Sequence, residues 1–118
     1  MGLFSVRAKL TGPQGKSEEL DLLVDTGSFH MILPKALAER LEVIPKHKLP
    51  VQLAGGQIGY WPIAYVELAL EGRELAVPTL VAPGGQCILG ALALEFLTLG
   101  VDPKNKRLIP IVLEQRPL

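Results

Sequence analysis

The sequence predicts a mostly β fold, a small closed barrel-like domain with one or two short helices. About eight or nine short segments have the alternating or continuous apolar pattern of strands, and only two have helical spacing. Many of the 12 glycines and 10 prolines stand at the joints between segments, which is typical of a β domain and not of a βαβ fold. The 118 residues suit one core and no linker divides them, so we predict a single domain over residues 1–118.

The first two segments predict a hairpin that ends at an aspartate. Residues 3–11 alternate between apolar and polar side chains, as in a half-buried strand. Gly12–Gly15 has the composition of a turn, and Glu18–Val24 resumes as a strand. Asp25 therefore follows directly after a hydrophobic strand. A carboxylate is costly there unless it is hydrogen-bonded or has a function.

The next segment predicts a short strand and a helix. Met31–Leu33 is apolar throughout, and Pro34 suits the first turn of a helix. Leu37 and Leu41 are four residues apart, so they share the apolar face of that helix.

A tight hairpin is predicted in the middle of the chain. Residues 51–54 and Ile58–Leu70 have strand patterns, and Gly55-Gly56 between them is a strong turn signal. Gly59 is expected to mark a bulge, and residues 46–50, including His47, are expected to form a solvated connection. The aromatic residues of the returning arm are interpreted as core or cross-strand pairs rather than ligand contacts; they are Tyr60, Trp61 and Tyr65.

The last third of the chain predicts three strands and a helix. Arg73–Val81 is a strand, and Cys87–Gly90 is a short apolar strand that ends at a glycine. Ala91–Leu97 has helical spacing and Gly100 follows its end. Leu108–Leu113 predicts a final strand at an edge, because it contains a proline.

Composition excludes several classes of protein. Lys plus Arg equals Asp plus Glu, at 12 each, and no basic run is present, so we expect neither nucleic acid nor a membrane as partner. The longest apolar stretch, Cys87–Leu94, is too short for a membrane span, and Met1–Arg7 lacks the layout of a signal peptide. One cysteine and two histidines permit neither an internal disulfide nor a Cys–His zinc cage. We expect a soluble cytoplasmic domain without metal or cofactor.

Two segments of the chain echo each other. Leu23–Gly27 and Cys87–Gly90 are both apolar strands broken by a glycine, and each is followed shortly by a helix. Only the first carries an acid. We expect the two strands to cross, so that the glycine of one approaches the acid-bearing loop of the other.

These segments resemble those of the retropepsin-like aspartic proteases, the single-domain relatives of pepsin. The matching residues are Asp25–Ser28 after an apolar strand, Ile32–Pro34 opening a helix, the hairpin at Ala54–Gln57, and Ile88–Gly90 before a helix. The resemblance covers about Phe4 to Val112 and is closest to the stand-alone bacterial branch, where a helix follows the Asp-Thr-Gly strand directly. It implies the acid-protease fold, with the glycine hairpin as a β-hairpin flap.

The resemblance implies an aspartic endopeptidase with Asp25, Thr26 and Gly27 as its catalytic residues. Hydrolysis without metal or covalent intermediate needs two adjacent carboxylates, one accepting a proton from water and one donating to the carbonyl oxygen. Other acids are present, but the chain has a single Asp-Thr-Gly. We therefore expect Asp25 to meet Asp25 of a second chain in an isologous homodimer.

The neighbours of the aspartate have expected roles as well. Thr26 would hydrogen-bond across the dimer axis, and Gly27 would offer its N–H to the carboxylate. Ser28 would donate its hydroxyl to Asp25 and so favour the ionised form of that carboxyl group. Ser28 would also contact the substrate. The predicted flap tip would close over an extended peptide or protein substrate, which adds as a strand; it consists of Ala54, Gly55, Gly56 and Gln57.

The chain departs from the retroviral pattern at two places. Retroviral members usually carry a second Asp shortly after the motif and an Arg just after the later glycine, and these two residues pair. Here the first position is Phe29 or His30, and the second is Ala91 or Leu92. The ion pair that helps to build the retroviral dimer is therefore missing.

Three other functions remain as alternatives. A non-catalytic dimeric module of the same fold could bind extended peptides, although the intact Asp25 favours the enzyme. A nucleophilic hydrolase would use Ser28 or Cys87 with His30 or His47, but no Gly-x-Ser-x-Gly elbow is present. Phosphoryl transfer through Asp25 would need a phosphate-gripping loop, which is missing from the sequence. Cys87 is interpreted as a small buried apolar residue.

Overall fold

The computed structural model describes residues 3–114 of the chain. The ends of the predicted domain, residues 1–2 and 115–118, lie outside the described residues. The elements in chain order are β1 (Phe4–Thr11), β2 (Ser17–Val24), β3 (Met31–Pro34), α1 (Lys35–Arg40), β4 (His47–Gln52), β5 (Ile58–Leu70), β6 (Arg73–Ala82), β7 (Ile88–Leu89), α2 (Ala91–Leu97), β8 (Leu99–Asp102) and β9 (Arg107–Pro110). No helix of residues 3–114 has the length and apolar character needed to cross a membrane.

The strands close into a ring. Seven strands form one sheet in the order β1-β2-β7-β3-β6-β5-β4, and β1 also pairs with β5 between Lys9↔Ala69 and Thr11↔Glu67. That second pairing joins the two sides of the sheet, with β4 left outside on β5. The predicted mostly β, closed barrel-like fold with two short helices is confirmed.

The interior of the ring is filled by aliphatic side chains. Alternation along β1, β2 and β3 points every second residue inward, as the sequence pattern predicted for β1 and β2. Each fully buried leucine stabilises the fold by about 2 kcal/mol relative to exposure. The fully buried leucines of the strands are Leu10, Leu22, Leu33, Leu68 and Leu89. The two helices add Leu37 from α1, and Ala93, Leu94 and Leu97 from α2.

The short strand β7 lies between β2 and β3. These two strands flank residues 25–30, which we call the Asp25 loop. It pairs in parallel with β2 at Leu23↔Ile88 and Val24↔Leu89. It also pairs antiparallel with β3 at Ile32↔Ile88. The two echoed strands pair side by side in parallel and do not cross, so the expected crossing is wrong. The expected approach of Gly90 to the acid-bearing loop is confirmed.

Several boundaries differ from the sequence-based predictions. The expected loop around His47 is wrong, because β4 begins at His47 and pairs with β5 through Pro50↔Tyr60. This strand is the last of its sheet, where a proline is tolerated. The bulge expected at Gly59 is also wrong, since Val51↔Gly59 continues a regular ladder.

The C-terminal part contains a strand that the pattern did not predict. Strand β8 pairs with β9 in a separate two-stranded sheet, from Leu99↔Pro110 to Asp102↔Arg107. The final strand ends at Pro110 rather than Leu113. The apolar residues 111–113 that follow it are exposed.

Candidate active site

Asp25 lies immediately beyond β2, where the buried strand reaches the surface. Leu22 and Val24 behind it are buried, and Asp25 itself is half-buried. Its backbone N–H donates to the carbonyl oxygen of Leu89 at 3.0 Å. The position of the aspartate is therefore fixed by β7 as well as by its own strand.

The Asp25 carboxylate has a donor within its own loop. The N–H of Gly27 donates to Asp25 Oδ1 at 2.9 Å, as expected from the sequence. A Cβ on Gly27 would lie 3.0 Å from the same oxygen, so the small residue permits this approach. The Ser28 N–H donates to the Asp25 carbonyl oxygen at 3.1 Å and closes the turn. The turn therefore places one N–H donor on the carboxyl group of Asp25.

Thr26 and Gly27 are exposed at the tip of this loop. The role of Thr26 across a dimer axis stays a prediction. Its exposure leaves the loop tip accessible to a second molecule. The motif is thus an outward-facing turn on one chain.

Ser28 makes a different hydrogen bond from the one expected. Its hydroxyl donates to the carbonyl oxygen of His30 at 3.0 Å, and the expected bond to Asp25 is therefore wrong for this chain. A serine hydroxyl has a single proton, and the turn after Gly27 directs it toward the start of β3. The role of Ser28 in substrate contact stays a prediction.

Gly90 packs against the back of the Asp25 loop. A Cβ there would lie 2.5 Å from the carbonyl oxygen of Ser28, which no residue other than glycine avoids. The next two residues donate to the loop, Ala91 N–H to the Ser28 carbonyl at 2.9 Å and Leu92 N–H to the Phe29 carbonyl at 2.8 Å. Phe29 and Leu92 are among the candidates for the two positions where retroviral members carry the Asp–Arg ion pair. Here a backbone hydrogen bond joins these two residues.

The predicted flap tip is an exposed hairpin between β4 and β5. Gly55 and Gly56 have φ values of +91° and +87°, in the region that favours glycine. The Leu53 N–H donates to the Gln57 carbonyl at 2.7 Å, and the Gly56 N–H to the Leu53 carbonyl at 3.0 Å. The hairpin is confirmed, and the function of residues 54–57 as a flap stays a prediction.

The alternative nucleophile Cys87 is poorly suited to its task. The thiol is half-buried beside β7, and burial raises its pKa above the ordinary value, a shift opposed by the nearby Arg40 guanidinium. A raised pKa leaves less of the reactive thiolate at neutral pH. His47, a base considered for it, is exposed at the start of β4.

The aromatic residues of β5 are not part of the buried core. Tyr60 and Tyr65 are exposed, so a core role is wrong for them, although they face Pro50 and Pro78 across the ladder. Tyr60 and the half-buried Trp61 line an apolar cavity of about 430 Å³ between α1, β5 and the end of β6. None of the residues that line it belongs to the loop of residues 25–28.

Sequence reasoning missed the residues that support the site from behind. Leu89, His30 and Gly90 hold the loop through backbone atoms, and none was predicted as a site residue. The echo between the two glycine-ended strands was the available signal, since it placed Gly90 near the acid.

Comparison with known proteins identifies the family. The aspartyl protease family model matches residues 6–96, which include the Asp25 loop, the glycine hairpin and most of α2. The chain therefore belongs to the aspartyl protease family, and this membership supports a protease function in general.

Solved structures agree with that assignment at the level of the fold. EIAV protease complexed with the inhibitor HBY-793 has a TM-score of 0.66 and 22% identity, covering 81% of this chain and 88% of that chain. The Simian Foamy Virus (mac) protease has a TM-score of 0.60 and 18% identity, covering 80% of this chain and 94% of its own. The retropepsin-like fold is thereby confirmed. No match was found among curated proteins.

Proposed function

We propose that the chain is an aspartic endopeptidase that acts as a homodimer. Two Asp25 carboxylates, one from each chain, would activate a water molecule for attack on a peptide bond. The observation that supports this most directly is the hydrogen bond from Gly27 N–H to Asp25 Oδ1 in an exposed turn. It holds one carboxylate at the surface of a chain that belongs to the aspartyl protease family.

The chemistry explains why one chain would not suffice. Two carboxylates in contact cannot both ionise cheaply, so such a pair retains one proton between them. The ionised partner accepts a proton from water while the protonated partner donates to the carbonyl oxygen of the substrate. The single Asp-Thr-Gly supplies one carboxylate, and a two-fold axis supplies its equivalent.

The rigidity of the loop supports this proposal. Asp25 is held from β7 by the Leu89 carbonyl, and the residues after it are held by the N–H groups of Ala91 and Leu92. A loop fixed from behind positions its carboxylate before substrate arrives, which is how preorganised groups accelerate a reaction. The exposed Thr26 would donate across the axis and brace the two loops.

The substrate would be an extended peptide or an extended segment of a protein. It would lie between the Asp25 loops and the hairpin at residues 54–57, pairing through its backbone as an added strand. The exposed hairpin would close over it as a flap and exclude water. Its two glycines provide a tip without bulky side chains.

The test is cleavage of an unbiased peptide mixture between acid and neutral pH, with Asp25→Asn beside the native chain. We expect the variant to lose about 10³-fold or more in activity. Specific activity of the native chain should rise with protein concentration, because only the dimer is active. Adding an equal amount of Asp25→Asn to dimer-forming native protein should lower its activity to about half, through mixed dimers.

Two results would contradict the proposal. One is the lack of cleavage by the native chain at every pH, and the other is equal cleavage by Asp25→Asn. Either result would direct attention to the non-catalytic peptide-binding module of the same fold.

A further inference from the structure

The apolar cavity between α1, β5 and the end of β6 has no part in the proposed catalysis, and we call it the side cavity. Its volume of about 430 Å³ is within the range of ligand sites in proteins, about 300–1,000 Å³. Residues 25–30 and 54–57 do not line it. The apolar part of its wall includes Val43, Pro45, Trp61, Pro62, Val81 and Pro83.

Exposed apolar side chains continue the wall of the side cavity outward. Tyr60 belongs to the wall and is 64% exposed. Ile44 is 55% exposed and lines an adjoining depression, which shares Val43 and Glu39 with the cavity. An apolar patch that continues from a cavity is typical of an interaction site. A small ligand confined to the cavity would leave Ile44 in water, so the patch favours an extended occupant such as a peptide segment.

Lysine side chains surround the side cavity. Lys35 forms part of its wall, and Lys46 follows Pro45 of the wall directly. Lys48 is opposite Pro62 in the ladder between β4 and β5, so the side chains of these two residues are neighbours on one face of the sheet. All three lysines are exposed.

These lysines have no acidic partner in the part of the chain that the structure describes. The ion pairs of residues 3–114 involve other cations, namely Arg7, Lys16, Arg40 and Arg107. Glu39 is the only acid among the described residues that line the cavity, and the nearby Glu42 is paired with Lys16 at 3.7 Å. The three lysines therefore outweigh Glu39, and the surroundings of the cavity favour an anionic partner.

We propose that the side cavity is a docking site for an acidic peptide segment of a partner protein. Bulky apolar side chains of the segment would enter the cavity, and neighbouring Asp or Glu side chains would pair with the lysines. Tyr60 and Trp61 would supply the apolar contact, as Tyr and Trp commonly do at the centres of interfaces. This inference goes beyond the proposed function and does not depend on it, because it concerns a second binding site.

The chemistry of the site favours an acidic peptide over a nucleic acid. DNA carries a negative charge about every 1.7 Å along its axis and is bound by extended basic surfaces. Lys plus Arg here only equals Asp plus Glu, at 12 each. Glu39 in the wall would repel a continuous row of phosphates, whereas a peptide can place its few carboxylates beside the lysines alone.

Trp61 provides a direct measurement of binding, because it is the only tryptophan in the chain and is half-buried in the cavity wall. The full chain carrying Asp25→Asn is titrated with hexapeptides EEXXEE, where X is leucine, isoleucine or phenylalanine. The matched set is KKXXKK. We expect a saturable blue shift of the Trp61 emission with acidic peptides, since a bound segment removes the indole from water. The corresponding lysine peptides should bind about tenfold more weakly or not at all.

Tyr60→Ser and Tyr65→Ser test the apolar contact as a matched pair. Both tyrosines belong to β5, with exposures of 64% and 59%, and each faces a proline across its ladder. Only Tyr60 lines the side cavity. We expect Tyr60→Ser to raise the dissociation constant of the acidic peptide about tenfold, and Tyr65→Ser to leave it unchanged.

Lys48→Glu and Lys104→Glu test the charge in the same way. Both lysines are exposed, and Lys104 lies in the turn between β8 and β9, so the two variants change the net charge equally. Lys48→Glu should weaken binding of the acidic peptide about fivefold, and Lys104→Glu should not. Lys48→Glu should also bind the lysine peptide more tightly than the native lysine does, a gain that misfolding cannot produce.

Three results would overturn the docking site. They are equal binding of the acidic and lysine peptides, failure of every acidic peptide to change the Trp61 emission, and equal effects of Tyr60→Ser and Tyr65→Ser. Tighter binding of single-stranded oligothymidylate than of any acidic peptide would assign the surface to nucleic acid and would likewise contradict the proposal. A native chain that cleaves no peptide but binds acidic peptides through Tyr60 and Lys48 would contradict the proposed function and leave this inference supported.

Discussion

Gly90 lies against the carbonyl oxygen of Ser28, so that a Cβ at residue 90 would sit 2.5 Å from that oxygen. The obstructing atom belongs to the backbone of the Asp25 loop and cannot swing aside. We expect Gly90→Ala to lower the free energy of unfolding by about 3 kcal/mol. Activity should fall further than stability explains, because relief of the clash displaces the loop that carries Asp25. Urea unfolding and peptide cleavage measure the two effects.

Gly84→Ala is the matched control for this substitution. A Cβ on Gly84 would meet nothing within 4 Å, and its φ is not in the left-handed region. Its free energy of unfolding should stay within about 0.5 kcal/mol of the native value. Equal stability of the two variants would contradict the packing of β7 against the Asp25 loop.

The hydrogen bond from Ser28 predicts that Ser28→Ala lowers the stability of the fold without changing the pH dependence of the activity. Because its hydroxyl donates to the His30 carbonyl at 3.0 Å, Ser28→Ala should lower the free energy of unfolding by about 1 kcal/mol. The acidic limb of the pH–rate profile should stay where it is, since the hydroxyl does not donate to Asp25. Movement of that limb would show that the hydroxyl turns to the carboxylate in the active protein.

Apolar periodicity was sufficient to predict most of the ring. Alternation predicted the strands that became β1 and β2, and Leu37 and Leu41 marked the buried side of α1 correctly. The predicted bounds of α2, Ala91–Leu97, agree with the structure. These elements bury one regular face each, so local pattern and tertiary packing agree.

The remaining features depend on contacts between distant segments. Strand β4 includes Pro50, which local propensity excludes, because pairing with β5 on one side needs only every second N–H. Strand β8 contains Gly100 and was missed, because its stability comes from pairing with β9. The hydroxyl of Ser28 was assigned to the wrong acceptor, since the path of the chain toward His30 is fixed by β7 and not by the motif.

Substitution of either glycine of the hairpin should lower activity by more than its small loss of stability explains. An alanine at Gly55 or Gly56 would occupy the left-handed region at φ +91° or +87°, which costs about 1 kcal/mol. If residues 54–57 close over substrate, Gly55→Ala and Gly56→Ala should also lower kcat/KM by about tenfold. Steady-state kinetics on a cleaved peptide, with unfolding curves for each variant, provide the measurement.

Gly15→Ala supplies the comparison for the hairpin variants. Gly15 has a φ of +90° and nothing within 4 Å of a Cβ, in the turn between β1 and β2. It should show the same loss of stability with unchanged kcat/KM. A similar fall in kcat/KM for Gly15→Ala would mean that the effect at Gly55 and Gly56 is one of stability alone.

The hydrogen bonds of Asp102 predict that the native chain is more stable than Asp102→Asn at neutral pH, and that this difference disappears in acid. The side-chain amide of Asn105 donates to Asp102 Oδ2 at 2.8 Å and, with the Asn105 N–H and Arg107, holds the pKa of Asp102 below its ordinary value of 3.8. A carboxyl whose pKa is lower in the folded chain stabilises it at pH values above 3.8. That contribution is lost as the pH falls through the lower, folded value.

We therefore expect Asp102→Asn to be less stable than the native chain at neutral pH, with the difference shrinking below pH 3.8. Urea unfolding at a series of pH values measures it. Asp21→Asn is the control, because the 3.5 Å ion pair of Asp21 with Arg7 is exposed on both partners and such pairs contribute little. A difference for Asp102→Asn that stays constant into strong acid would contradict the argument. The contribution would then come from the shape of the side chain in the β8–β9 turn and not from its charge.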